Sequence, residues 1–91
     1  MLVNGQPSDL IPAEDRGLSY GDGVFRTLRV RSGTPLSWQR HYLKLQQDCA
    51  AIKITCPSAD LLFSELQSLC IIQQDCIAKI IITRGVGTRG Y

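Results

Sequence analysis

Apolar residues fall along this chain in three rhythms, and each rhythm predicts a different element. From Val24 to Arg31 they alternate. Val24, Leu28 and Val30 share one face with Arg26, while Phe25, Thr27 and Arg29 take the other, as a period of two requires of a strand with one buried side. From Trp38 to Ala51 the period lengthens. Trp38, Tyr42, Leu45, Cys49 and Ile52 recur at steps of four and three, which draws one apolar stripe down a helix that Ser37 is placed to cap. His41, Lys44 and Asp48 form a neighbouring stripe. A second helix opens at Ser58 as N-cap, with Asp60 near the positive end of the dipole, and carries Leu61, Leu62, Phe63, Leu66, Leu69 and Cys70. Gln73-Gln74-Asp75 ends it. The stretch from Cys76 to Thr83 is β-branched and almost unbroken in its apolarity, the pattern of a strand buried on both faces.

Turn residues punctuate these runs. Asn4-Gly5, set between Leu2-Val3 and Gln6-Pro7, suits the type I′ turn of a short hairpin. A polar loop is expected from Ser8 to Tyr20. Ser32-Gly33-Thr34-Pro35 is turn chemistry, so the segment Pro35–Leu36 should return antiparallel to the preceding strand. Hairpin, strand, two helices and strand together predict an α+β fold, a two-layer sandwich of a mainly antiparallel sheet and two helices. Ninety-one residues are enough for one small domain.

Composition removes several function classes. A net charge of +2 is too weak to imply nucleic acid, and Arg26, Arg29, Arg31 and Arg40 lack interleaved aromatics, so they read as a solvated strand edge. No apolar run approaches the roughly 20 residues that span a bilayer. The start, Met1 to Gly5, lacks the basic flank and apolar centre of a signal peptide, so a cytoplasmic protein without membrane contact is expected. Cys49, Cys56, Cys70 and Cys76 include no Cys-x-x-Cys pair, and the lone His41 cannot complete a zinc site; reduced, buried thiols are the expectation. Gly85 to Gly90 spells G-x-G-x-x-G after a strand, yet it lacks the helix and downstream acidic residue of a dinucleotide site.

Three segments carry a resemblance. They are Asn4-Gly5 with Asp15-Arg16-Gly17 and Gly21-Asp22-Gly23; His41-Tyr42-Leu43-Lys44-Leu45 followed by Asp48-Cys49; and Ile82-Thr83-Arg84-Gly85 closing on Arg89-Gly90-Tyr91. Together they resemble the small N-terminal domain of fold-class IV pyridoxal-phosphate enzymes, which include D-amino-acid and branched-chain aminotransferases. The closing segment is most similar to the aminodeoxychorismate lyases. The resemblance implies pyridoxal 5′-phosphate as cofactor, a small-molecule substrate, and a homodimer. It implies conversion of 4-amino-4-deoxychorismate to 4-aminobenzoate and pyruvate in folate biosynthesis, with class IV transamination, or a free-standing non-catalytic domain, as alternatives.

By the same resemblance the Schiff-base lysine belongs to a larger C-terminal domain, and none of Lys44, Lys53 and Lys79 stands at its position, so this chain by itself is expected to be inactive. Lys44 occupies the place where the family usually carries an arginine for the cofactor phosphate, with His41 beside it. A lysine supplies the charge without the bidentate fork. Phe25 stands where transaminases of the class often have a tyrosine that receives a substrate carboxylate, and without a hydroxyl it can only pack. Arg84, Arg89 and Tyr91 are the candidates to meet the substrate's carboxylates or ring.

Overall fold

The computed structural model describes residues 1–86. Strands β1 (Leu2–Val3) and β2 (Gln6–Pro7) form the expected hairpin. Asn4 and Gly5 take φ of 52° and 80°, the two left-handed positions that a type I′ turn demands. A short helix, α1 (Arg16–Tyr20), then leads into strand β3 (Gly23–Arg31). Strand β4 (Thr34–Pro35), helices α2 (Trp38–Ala51) and α3 (Ala59–Cys70), and strand β5 (Cys76–Thr83) follow.

The main sheet is antiparallel throughout, in the order β4-β3-β5. Both helices lie on one of its faces, which makes the α+β two-layer sandwich. Two apolar clusters join the layers. Leu28 and Val30 of β3 meet Leu66 and Cys70 of α3, with Trp38 and Ala78 packed against them. Leu45 and Cys49 of α2 meet Ile82 of β5, and Ile80 touches both clusters. Each helix centres one cluster on the same sheet face, and Trp38 of α2 and Leu62 of α3 each reach into the other's.

The second face differs from expectation. Phe25 lies directly across from Ile81, and Arg29 from Ile77, yet Phe25, Ile77 and Ile81 are 59, 70 and 62% exposed. Strand β5 thus alternates like β3 rather than being buried on both sides. An unbroken apolar run states that two faces repel water; it does not supply the layer that would cover the second. Phe25 packs on that open face instead, where the Lys79 ammonium lies 4.7 Å from its ring centroid, a cation–π contact.

Local details also depart from the reading of the sequence. The segment taken as loop contains α1, where Asp15 caps the first turn by accepting from Gly17 N at 2.8 Å. Gly21, with φ of 67°, closes the helix in the left-handed conformation that glycine tolerates best. Ser37 precedes α2 but does not cap it with its side chain. Leu36 N still donates to Arg29 O at 2.8 Å, so the chain stays tied to β3 until Ser37 and must turn there, with φ of 57°. A side-chain cap needs extended φ/ψ at that position. Ser58 has them, and its Oγ accepts from Leu61 N.

Candidate functional site

Two constellations of polar side chains stand out, one at the Gly21–Gly23 turn and one on α2. Gly23 opens β3 so close to β5 that a Cβ there would lie 2.6 Å from the Ile82 carbonyl oxygen. Gly17 is similarly pressed against the side chain of Thr83. These close approaches are the physical reason for the glycine spacing in the Asp15–Gly23 tract.

The turn gathers charge. Asp22 accepts from Arg16 Nε at 2.9 Å and from Arg84 Nε and Nη2 at 2.7 and 3.2 Å. Arg84 reaches further, donating to the carbonyls of Ile52 at 2.6 Å and Lys53 at 3.3 Å. One guanidinium therefore joins the end of β5, the turn before β3 and the carbonyl end of α2, where helix C=O groups lack partners of their own. Asp15 ties the opposite side, accepting from Thr83 Oγ1 at 3.0 Å. Arg16 also lies over the Tyr20 ring at 4.6 Å. Beside this knot runs an open groove of about 530 Å³, lined in part by Ile11, Leu18, Phe25, Ile81 and Thr83.

Hydrogen bonding by Arg84, and after it Arg16, holds the Asp22 carboxyl below its ordinary value of 3.8. A lowered folded value means that the stabilisation is complete above the ordinary value and is lost as pH falls through the folded one. Acid titration followed by circular dichroism should therefore show stability falling below about pH 4. An Asp22→Asn variant should be less stable at neutral pH and should lose less on acidification. Parallel acid profiles for the two proteins would rule out this linkage.

On α2, Lys44 is exposed and pairs with Asp48 across one turn at 3.0 Å. His41 is half-buried. Arg26, on the helix-facing side of β3, donates to His41 Nδ1 from Nε at 3.2 Å and Nη2 at 2.9 Å. Arg26 is thus no part of a solvated edge, although Arg29, Arg31 and Arg40 are exposed. Burial, then the charges of Arg26 and Arg40, pushes His41 below its ordinary value of 6.5.

The residues expected to form a site are not all brought together. His41 and Lys44 share α2, Phe25 points to the open sheet face, and Arg84 is engaged at the Asp22 turn. Arg89 and Tyr91 lie outside the described residues. Two partnerships were missed in the sequence, Arg26 with His41 and Asp22 with two arginines. The first left a signal: an arginine at a position whose strand neighbours Val24, Leu28 and Val30 face the helices needs an internal acceptor.

The four cysteines are free, with Cys49 and Cys70 buried. Burial, with Cys56 alongside, pushes the Cys49 thiol up to about 11 and keeps it protonated. Among the described residues no group of three or more His, Cys, Asp or Glu side chains is placed to hold a metal, and no helix is long and apolar enough to cross a membrane.

No family model matches the chain. It is 33% identical over 89 residues to the aminodeoxychorismate lyase of Vibrio harveyi, a match covering 98% of this chain and 33% of that protein. It superposes on the crystal structure of 4-amino-4-deoxychorismate lyase from Pseudomonas aeruginosa with a TM-score of 0.86 at 43% identity, over 97% of this chain and 32% of that one. The chain is similar to the N-terminal part of these fold-class IV enzymes. A hypothetical aminotransferase from Mycobacterium tuberculosis, solved in a PLP-bound form, shares the fold at a TM-score of 0.74 and 27% identity, over 93% of this chain and 31% of that one. The chain spans about a third of the length of the fold-class IV proteins it matches.

Proposed function

We propose that this chain is the N-terminal domain of a pyridoxal-phosphate-dependent lyase that releases pyruvate from 4-amino-4-deoxychorismate and leaves 4-aminobenzoate, a step of folate biosynthesis. The observation that carries this reading is the 43% identity to the Pseudomonas aeruginosa lyase structure, sustained over 97% of this chain. In this reading the protein is a cytoplasmic homodimer. A C-terminal domain contributes the Schiff-base lysine and lies against the sheet face that exposes Phe25, Ile77 and Ile81.

The residues of α2 fit the cofactor's phosphate. Lys44 offers an exposed ammonium, and His41 offers a ring edge three residues away, on the same side of the helix. Bound there, pyridoxal phosphate supplies the electron sink for eliminating the enolpyruvyl group. This domain's own part is to bind and orient. Lys44 and His41 anchor the phosphate, and the Arg16–Asp22–Arg84 knot fixes the turn that starts β3 and so places Phe25 at the groove. Arg89 and Tyr91 follow Arg84 in the sequence and are assigned to the substrate's carboxylates and ring.

Class IV transamination is the second reading, favoured by likeness to the PLP-bound aminotransferase. Phe25 weighs against it, because a phenyl ring cannot donate to a carboxylate. The test is direct. The protein with its C-terminal domain, supplied with aminodeoxychorismate, should release pyruvate and 4-aminobenzoate in equal amounts. Amino-group transfer from D-alanine or a branched-chain amino acid to a keto acid, without that release, would replace the lyase reading with the transaminase.

A further inference from the structure

Arg26 is an arginine on the inner side of β3, and what it meets there is the imidazole of His41. Two of its N–H groups converge on Nδ1, at 3.2 and 2.9 Å. A guanidinium only donates and does not lose its proton in proteins. The nitrogen it contacts must therefore present a lone pair, so the ring is neutral and its one proton sits on Nε2. Among the described residues nothing else bonds to either ring nitrogen. The charged groups that act on the ring are Arg26 from β3 and Arg40 from its own helix, and Lys44 follows three residues later.

We propose that Arg26 is a positioning residue for an anion site on α2: it holds His41 as the Nε2–H tautomer and thereby turns that edge of the ring into a donor for a phosphate monoester beside Lys44. The proposal rests on the reading that α2 receives the cofactor's phosphate. Arg26 itself does not touch the ligand. Its action is to forbid the imidazolium and the Nδ1–H form, each of which would place a donor against a donor.

His41 is the sole histidine of the chain, so its ring nitrogens give single, unambiguous signals in a ¹⁵N–¹H spectrum. The expected spectrum at pH 7 shows a neutral Nε2–H ring that titrates below 6.5, and added inorganic phosphate shifts Nε2 more than sodium chloride at matched ionic strength does. In Arg26→Met the titration should move up by about one pH unit, a tenfold gain in proton affinity, as removal of an adjacent cation requires. Measured above the variant's own titration, where its ring is neutral and free to take either tautomer, the phosphate response should be weaker than in the unsubstituted chain.

An imidazolium or an Nδ1–H ring at pH 7 in the unsubstituted chain would overturn the proposal, as would a titration or phosphate response unchanged by Arg26→Met. If the variant does not fold, the tautomer and phosphate response of the unsubstituted chain decide the matter. Neither reading involves turnover or pyridoxal phosphate. A failed lyase assay therefore leaves this proposal standing, and its failure leaves the lyase assay standing.

Discussion

Leu45→Ala is expected to destabilise the domain by about 3 kcal/mol, within the range found when a fully buried leucine is truncated. Leu45 has no exposed surface and sits with Cys49 and Ile82 where α2 meets the sheet, under Val24, Ile54, Leu62 and Ile80. Only eight apolar residues among those described, Pro35 included, are buried, so few neighbours are free to relax into the space left behind. Unfolding free energies of about 0.05–0.15 kcal/mol per residue mean that such a loss removes a large part of the total. Urea unfolding, read by the fluorescence of Trp38, measures it. Ile77→Ala provides the contrast: on the open face, 70% exposed, it should cost less than about 1 kcal/mol. Equal losses at the two positions would show that the helix layer is not where the stability lies.

Lys44→Ala, made in the two-domain protein of the proposed reading, is expected to weaken pyridoxal-phosphate binding by about 10- to 100-fold, the equivalent of one charge-assisted hydrogen bond of about 1.5–3 kcal/mol. Lys44→Arg should restore the affinity or improve on it, since the guanidinium fork matches a phosphate where an ammonium is a point charge. Asp48→Asn separates the charge from its local pairing. That carboxylate holds the Lys44 ammonium at 3.0 Å, and removing its charge should leave cofactor affinity equal or higher. Cofactor titration followed by absorbance checks all three. Affinity unchanged in Lys44→Ala would end the phosphate role of this residue.

Much of the fold is legible along the chain because its signals are local. Asn4-Gly5 names its own turn, Ser58 its own cap, and the stripe from Trp38 to Cys49 its own helix, whose bounds, Trp38–Ala51, are the predicted ones. Helix α1 was not read, although its ends carry local signals. Asp15 before it and Gly21 after it are ordinary cap residues, but five residues leave no room for a periodic signal.

What stayed hidden is what distant residues decide. Thr83 is 68 residues from Asp15, and Arg84 is 62 from Asp22, so no window of sequence contains both partners of either contact. The candidate site shows the same division. His41 and Lys44 were marked by the resemblance of their segment to the family's phosphate-binding motif, whereas the nitrogen that bears the His41 proton is set by Arg26, on another element. The sequence by itself determined the longer elements, the hairpin turn and the one-sided burial of β3, because backbone preference and periodicity act over a few residues. Only the tertiary structure decided that β5 keeps an exposed face, that Ser37 leaves α2 without a side-chain cap, and which arginine meets which acceptor. Those outcomes depend on which surfaces the folded chain brings together, and pairwise contact energy is a property of space, not of order along the chain.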